Sequence, residues 1–421
     1  MKRHIFRSFP YTRSDDFAAW LSEMAAKGWI FEGFGLGLIF EKGEPQEITY
    51  AVNTFLPGSE MDTRPEPQAE EFAEYCRAAG WELVDAKKRF CVFRRVQEDA
   101  VPILTEEEMI ENAARAERKR ILSERGASPF LAALYGFMIY WQAEMLLFNS
   151  IYLLAFLIWC GGAVDGVCRL VSLHTWHRRM KRALDAGEEI YLGTHRTEAG
   201  TLEILSRCFL PAAVLLLLFS YLASMQPAFT WVFIVTFLIL GGTVLAINVL
   251  RPSRGENWAI QLGVGFLVPF VVLMIALAVI ISGDQTATRD NVEKYPFTVS
   301  DYRTEDTELA SLAGGTTMSP FGQVTECMMS CTTGSDSNYY LYESPYPWVL
   351  ELVEARMRAK YDFLPENAET FGVRFGGDSS DSPQVYLIRG NETLLILREG
   401  VLLSEEEGAR LTEIVQRAAK G

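Results

Sequence analysis

Long apolar stretches dominate the middle of the chain, between residues 129 and 282. Five of them have the length of membrane helices: 130–148, 150–172, 205–225, 228–250 and 258–281. A bilayer core needs about 20 apolar residues of helix, and a spanning segment must satisfy its backbone hydrogen bonds internally. The pattern therefore predicts a five-helix transmembrane bundle. The first stretch is the weakest of the five, because Gln142 and Glu144 interrupt it.

Charges on the connections between these stretches predict an orientation. The connections near Asn149 and Pro227 have no Lys or Arg, and the other connections are basic. Basic connections stay in the cytoplasm. We therefore expect a multi-pass protein of the cell membrane, surrounded by the lipid bilayer, with a cytoplasmic N-terminus and an extracytoplasmic C-terminus. The basic residues are Arg115, Arg118, Lys119, Arg120, Arg125, Arg178, Arg179, Lys181, Arg182, Arg196, Arg251 and Arg254.

Residues 1–96 contain an internal repeat that predicts a cytoplasmic α+β domain. One helical segment ends at Gly28 and a second ends at Gly80, and each glycine is followed by Trp and by apolar strands. Glycine suits the left-handed position that closes a helix. The repeat predicts a duplicated strand-helix-strand-strand domain of ferredoxin-like type, with two helices on one face of a small sheet. The glycines at 33, 35 and 37 indicate a turn between strands, since a phosphate-binding loop needs a helix after it.

Two motifs in this domain resemble a known family. They are the run Phe17 to Trp29, which reads FAAWLSEMAAKGW, and the run Phe40 to Pro45, which reads FEKGEP and is followed by Ile48-Thr49-Tyr50. Together they resemble a family of bacterial membrane proteins whose N-terminal domain is the domain of unknown function 2812 (DUF2812). The resemblance implies a regulatory or stress-linked role and a genetically linked PadR-like transcription regulator as a partner. It implies no catalytic residues.

Residues 97–128 predict a charged helical linker between this domain and the membrane region. Thr105 is placed to cap a helix that has Glu106, Glu107 and Glu108 in its first turn and basic residues near its end. This charge order agrees with the helix dipole.

Residues 283–421 predict a second folded domain, of α+β type and extracytoplasmic, with 23 acidic against 12 basic residues. Helices are expected from Pro347 to Tyr361 and after Ser404, where Ser-Glu-Glu-Glu forms a capping box. Arg389 to Glu392 is expected to turn the last two strands into a hairpin. The expected strands are 297–302, 325–329, 339–343, 373–375, 385–389 and 393–397.

Charged residues at membrane depth are the candidate binding residues. Glu144, Asp165 and Arg169 lie within the predicted bundle, and Asp165 and Arg169 are four residues apart on one helical face. The spacing of Gly162 and Gly166 favours close helix packing at the same place. A functional interpretation is a polar seam along a ligand or ion path. The alternative is that these side chains lie near the two membrane interfaces.

The rest of the chemistry is sparse, and no cofactor or metal site is predicted. Cys327 and Cys331 are close together in a domain expected to face an oxidising compartment, so a disulfide is an open alternative to free thiols. No nucleotide-binding, zinc-protease or serine-hydrolase motif occurs, so an enzyme is not expected. The net charge of −15 argues against direct nucleic-acid binding.

Two functions follow from these observations. The first is a membrane-anchored regulatory or sensory protein that links an outer domain to a cytoplasmic module and acts through a cytoplasmic or membrane protein partner. The second is a small transporter or channel, or an accessory subunit of a transport complex, in which Glu144 and Asp165 contribute to the path.

Overall fold

The computed structural model describes residues 1–193, 227–282, 295–304, 309–331, 336–361, 384–400 and 403–418. The chain divides into two compact units. Among the described residues, the first unit comprises 1–130, 159–193 and 227–279, and the second comprises 131–158 and the residues from 280 onward.

The first unit begins with the predicted duplication. The first copy consists of β1 (Lys2–Ile5), α1 (Ser14–Ala26), β2 (Trp29–Gly35) and β3 (Gly37–Lys42), and the second consists of β4 (Tyr50–Thr54), α2 (Pro67–Ala78), β5 (Trp81–Lys87) and β6 (Phe90–Arg95). Gly28 and Gly80 have φ of +80° and +88°, as expected of glycines that close helices. The strand-helix-strand-strand order is therefore the same in both copies.

The two copies form two sheets, whereas the sequence predicted one. Each is antiparallel and three-stranded, with the orders β1-β3-β2 and β4-β6-β5. The register shifts between Phe31 and Gly33 in β2 and between Leu83 and Asp85 in β5. Bulges at equivalent positions bend the two strands that carry them. The ferredoxin-like prediction is therefore correct in its elements and wrong in its sheet.

The residues of the predicted linker fold onto this domain as helix α3 (Glu106–Arg125). The Thr105 side chain accepts from the Glu108 backbone and the Glu108 carboxylate accepts from the Thr105 backbone, which is a complete capping box. The buried face of α3, with Ile110 and Ala113, joins a core that contains Tyr11 and Met180. We refer to residues 1–125, from β1 to α3, as the head.

The predicted five-helix transmembrane bundle is wrong. Among the described residues, the helices in this region are α4 (Ser128–Trp141), α5 (Ala143–Leu146), α6 (Ser150–Asp185), α7 (Pro227–Leu250) and α8 (Arg254–Ser282). Within the described residues, only α6 is long and apolar enough to cross a membrane, and Leu238–Leu250 is a shorter apolar helix. The predicted span 205–225 lies outside the described residues.

The first predicted span fails because the helix breaks at Gln142. This residue has φ −121° and ψ 45°, and it separates the 14 residues of α4 from the four of α5. Fourteen helical residues extend about 21 Å, against about 30 Å for a bilayer core. The guanidinium of Arg356 donates to the carbonyls of Tyr140 and Trp141 and so satisfies the end of α4.

The second unit contains a five-stranded antiparallel sheet. Its strands are β7 (Leu309–Ser319), β8 (Gly322–Cys331), β9 (Asp336–Glu343), β10 (Gln384–Arg389) and β11 (Thr393–Glu399), in the order β10-β11-β9-β8-β7. One core contains Val349 and Val353 of α10 (Pro347–Lys360). A second core contains Leu411 and Val415 of α11 (Glu405–Ala418). Alternate side chains of β11 enter the two cores, as expected of a sheet covered on both faces.

Most of the predicted elements of this domain are confirmed. The last hairpin, the helix from Pro347 and the capped helix after Ser404 are present. The strand predicted at 297–302 is wrong, since Val299–Tyr302 is a short helix, α9, that begins at a capping box between Thr298 and Asp301. The predicted strand 373–375 lies outside the described residues.

Candidate functional site

A cavity of about 230 Å³ lies within the head. Its lining comes from three separate parts of the sequence, namely residues 7–38, 87–90 and the C-terminal half of α3. Side chains of both sheets and of α3 therefore meet at this cavity. The residues that line it belong to the first unit.

Aromatic rings form the apolar wall of the cavity. Phe9 stacks on Phe17 at 4.6 Å between centroids, and Phe17 meets the edge of Phe90 at 5.7 Å. Tyr11 lies 4.5 Å from Phe90. Phe9, Phe17 and Tyr11 are buried, so this wall is part of the folded core and needs no ligand to order it.

Four cationic side chains also line the cavity, and two of them are neutralised by carboxylates. Lys88 lies 3.4 Å from Glu60. Arg120 lies 3.2 Å from Glu124 and donates to the Phe9 carbonyl. These two side chains have their charge balanced within the head.

The other two cations, Arg7 and Lys87, have no carboxylate within ion-pair distance among the described residues. The guanidinium of Arg7 lies 4.8 Å from the ring centroids of Phe9 and Trp20, which are cation–π contacts. Lys87 donates to the Gly35 carbonyl at 3.0 Å and to the Asn248 side-chain oxygen at 2.8 Å. Burial, with repulsion from Arg251, lowers the pKa of Lys87 to about 8. Within the described part of the chain, Arg7 and Lys87 therefore bring positive charge to the cavity that no ion pair balances.

Asp85 joins the two bulged strands beside this cavity. Its Oδ2 accepts from the Phe34 backbone N–H at 2.7 Å, and its Oδ1 accepts from the Ala86 backbone N–H at 2.8 Å and from the Arg251 guanidinium at 2.9 Å. A Cβ atom on Gly33 would lie 2.6 Å from Oδ2, so only glycine leaves room for this carboxylate. Asp85 therefore connects β2, β5 and the end of α7.

The turn between α7 and α8 is held against the head by further contacts, which we call the clamp. Arg254 pairs with Asp62 at 2.7 Å, and its backbone N–H donates to Glu66. The Asn257 amide donates to the Met61 carbonyl at 2.6 Å. The clamp consists of these contacts and the Arg251–Asp85 pair. It ties the ends of two long helices to the second copy of the repeat.

Comparison with known families agrees with this architecture. The profile of the family described as "Protein of unknown function (DUF2812)" matches residues 14–123, which run from the start of α1 almost to the end of α3. The head carries a DUF2812 domain. The match includes α3, in agreement with the packing of that helix against Tyr11. No curated protein and no solved structure matches the chain.

Asp165, a predicted binding residue, lies in α6 outside the cavity of the DUF2812 domain. It is buried and pairs with Arg169 at 3.0 Å and with Arg125 of α3 at 2.9 Å. The expected pairing of Asp165 with Arg169 is thus present, and a role in ligand binding stays a prediction. Gly166 packs at the same place, since a Cβ there would lie 3.0 Å from the Cβ of Arg125.

Glu144 belongs to the second unit, whereas Asp165 belongs to the first. It belongs to the four-residue helix α5, and its carboxylate lies 3.4 Å from Arg356 of α10. Its contacts are therefore with the C-terminal domain, and its predicted role in binding also stays a prediction.

Cys327 and Cys331 are both buried and free. They lie four residues apart on β8, where an extended strand separates their Cα atoms by about 13 Å. A disulfide needs a Cα separation of roughly 4.4–6.8 Å. The structure therefore does not support a bond between them. Among the described residues, no group of three or more His, Cys, Asp or Glu side chains is arranged to hold a metal ion.

Neither the cavity nor the clamp is predicted by the sequence pattern. The predicted turn between strands joins β2 to β3 at Leu36; Gly37, with φ +91°, is the first residue of β3, whereas Gly33 and Gly35 lie within β2. The role of Gly33 in making room for Asp85 was not predicted, because the two residues are 52 positions apart. The basic residues Arg251 and Arg254 stand out in the sequence, but their pattern predicts membrane orientation and not the ion pairs with Asp85 and Asp62.

Proposed function

We propose that the chain is a membrane-anchored regulatory protein whose DUF2812 domain acts as a cytoplasmic sensing module. The observation that supports this most directly is the clamp, because ion pairs and hydrogen bonds connect the domain to the ends of α7 and α8. A conformational change in the domain would therefore alter the contacts that hold the ends of these helices. Buried and half-buried charge pairs of this kind fix one arrangement and are costly to break.

Membrane attachment is proposed from α6 and from exposed apolar side chains. In the described parts of α6, α7 and α8, many large apolar side chains are exposed. An apolar surface of this size is normally covered by lipid or by another protein. These side chains include Leu157, Val164, Val167, Val171, Leu238, Val244, Val249, Leu250, Phe266 and Phe270.

The proposed orientation comes from the charges at the two ends of α6. Arg178, Arg179, Lys181 and Arg182 lie at its C-terminal end, and the residues around Asn149 have no Lys or Arg. The basic end belongs on the cytoplasmic side. The DUF2812 domain packs at this basic end, because Ile110 and Ala113 of α3 share a core with Met180, and we therefore expect it in the cytoplasm. Ala143, Leu147 and Phe148, just before the other end of α6, share a core with the C-terminal domain, which we expect outside the cell.

Attachment and orientation are tested together on the full chain in cell membranes. We expect the protein to stay in the membrane fraction after extraction at alkaline pH. Protease added to intact cells should cut beyond residue 284 and leave residues before 125 intact. Release by alkali would refute the anchor, and cleavage of the head in intact cells would refute the orientation.

The regulatory role is tested through the clamp. The expected partner is a cytoplasmic or membrane protein, and the family resemblance favours a PadR-like transcription regulator. Arg254→Met removes the pair with Asp62. The control is Arg64→Met, which removes an exposed arginine that lies in the same loop as Asp62 but outside the clamp. After cross-linking in cells, recovery of the PadR-like protein should change at least threefold with Arg254→Met and stay level with Arg64→Met. Equal recovery from both variants would argue against regulation through the clamp.

Transport is not proposed. The carboxylates of Glu144 and Asp165 are both engaged by arginine side chains. No contact among the described residues specifically favours a solute path.

A further inference from the structure

The cavity of the DUF2812 domain combines two properties that together specify a ligand class. Its wall is aromatic and buried, and its unbalanced charges are the cations Arg7 and Lys87. An apolar wall with a small number of placed polar groups is the usual composition of a small-molecule site. The cavity is therefore suited to a compact molecule with an apolar body and a negative group.

The volume limits the size of that molecule. A cavity of about 150 Å³ lined by apolar side chains holds a benzene ring, and a water-sized group occupies about 30 Å³. The cavity of about 230 Å³ has room for one ring and one carboxylate group. A ring can pack edge-to-face or offset against Phe9, Phe17 and Phe90, as those rings already do with each other.

Both cations also have N–H donors that are available for a further hydrogen bond. An ammonium group has three N–H donors, and Lys87 uses two of them on Gly35 and Asn248. The guanidinium of Arg7 is held through its face by Phe9 and Trp20, which leaves its N–H edge for an anion. Both groups can donate to a carboxylate without giving up a contact that they make now.

We propose that the cavity binds a small aromatic carboxylate, with the ring among Phe9, Phe17 and Phe90 and the carboxylate between Arg7 and Lys87. Lys87 also bonds to Asn248, three residues before the clamp residue Arg251, so a carboxylate bound to Lys87 would contact a side chain that is bonded to the end of α7. This inference rests on the proposed function only for the use of the ligand as a signal. The two experiments are independent: benzoate can fail to bind while Arg254→Met changes recovery of the PadR-like protein, and benzoate can bind while that recovery stays level.

The charge of Lys87 makes the proposed binding sensitive to pH. The charged groups that face Lys87 are Asp85 and Lys88 from its own hairpin and Arg251 from the end of α7. The pKa of Lys87 is about 8 in the free protein, and a bound carboxylate would favour its charged form. Binding near pH 8 is therefore accompanied by proton uptake, and the affinity decreases by about tenfold between pH 7 and pH 9.5.

The test is calorimetric titration of the purified full-length protein with benzoate, benzyl alcohol and acetate. We expect saturable binding of benzoate, and binding at least about tenfold weaker for the alcohol, which lacks the charge, and for acetate, which lacks the ring. In two buffers of different ionisation enthalpy, the observed heat at pH 8 should differ because protons are taken up. Equal affinity for benzoate and benzyl alcohol, or no benzoate binding at millimolar concentration, would overturn the proposal.

Variants locate the site. Lys87→Met should weaken benzoate binding at least about tenfold and abolish the buffer dependence. Lys42→Met, on β3 outside the cavity lining, should change neither. Arg7→Met changes an exposed side chain and is the second variant if Lys87→Met does not fold. Unchanged benzoate affinity in a folded Lys87→Met or Arg7→Met protein would show that the carboxylate does not bind here.

Discussion

Gly33→Ala tests whether Asp85 holds the two copies of the DUF2812 domain together. The new Cβ would lie 2.6 Å from Oδ2 of Asp85 and 3.3 Å from its Cγ, and ordinary contacts begin at 3.4 Å. Gly33 is not in the left-handed region, so the effect of the substitution is steric. The carboxylate must move away from β2, and it then loses the Phe34 N–H at 2.7 Å and weakens its pair with Arg251.

The expected cost follows from the bonds that are lost. A hydrogen bond to a charged group contributes about 1.5–3 kcal/mol, and Asp85 is buried, so water does not replace the lost donor easily. We expect a loss of about 2–3 kcal/mol in local stability. Since 1.4 kcal/mol is a factor of ten, amide hydrogen exchange at Phe34 and Ala86 should become roughly 30- to 150-fold faster.

Hydrogen exchange of the full-length protein, measured by mass spectrometry on peptides of β2 and β5, gives the result. Gly43→Ala is the matched control, since its Cβ would meet only the end of the flexible Ile30 side chain. In the Asp85→Ala background, Gly33→Ala should add almost nothing, because the clashing group is gone. Exchange within twofold of the wild type, or full additivity of the two substitutions, would refute this reasoning.

Three further substitutions test other contacts. Gly166→Ala should destabilise the packing of α6 on α3 by about 1–3 kcal/mol, because the new Cβ would lie 3.0 Å from the Cβ of Arg125. Thermal unfolding should detect this loss. The control Gly263→Ala, whose Cβ would lie in open space, should not lower the stability. Thr105→Ala should weaken the start of α3 by about 1 kcal/mol, and faster exchange of the first-turn amides checks this. Tyr302→Phe removes a hydroxyl that donates to buried Glu399, so the C-terminal domain should lose about 1–3 kcal/mol, seen as faster exchange in β11. If a variant has the same exchange rates or the same thermal unfolding as the wild type, the corresponding contact does not contribute the stability assigned to it.

Local sequence signals predicted the elements of the head and of the C-terminal domain. The glycines at 28 and 80, the capping residue Thr105 and the hairpin at 389–392 each depend on interactions within a few positions of the chain. The structure contains each of them. The strand predicted at 297–302 failed for a related reason, since a capping box between Thr298 and Asp301 outweighed the β propensity of the residues.

The length of the apolar stretches alone predicts the wrong number of membrane-spanning helices among the described residues. The stretch 130–148 has the composition of a spanning helix, but it breaks at Gln142, and Arg356 satisfies the backbone carbonyls at the end of α4. Arg356 lies more than 200 positions away along the chain, so the pattern around Gln142 gives no sign of it.

The sequence by itself determined the repeat, the helix caps, most of the strands and the resemblance to DUF2812, because these depend on neighbours in the chain. Only the tertiary structure decided the partners of the charged residues. Arg251 and Arg254 reach Asp85 and Asp62, and the cavity brings Arg7 and Lys87 together. The sequence gives the charge and size of each side chain. The energy of its contacts depends on which residues, distant in the sequence, lie beside it in the folded protein.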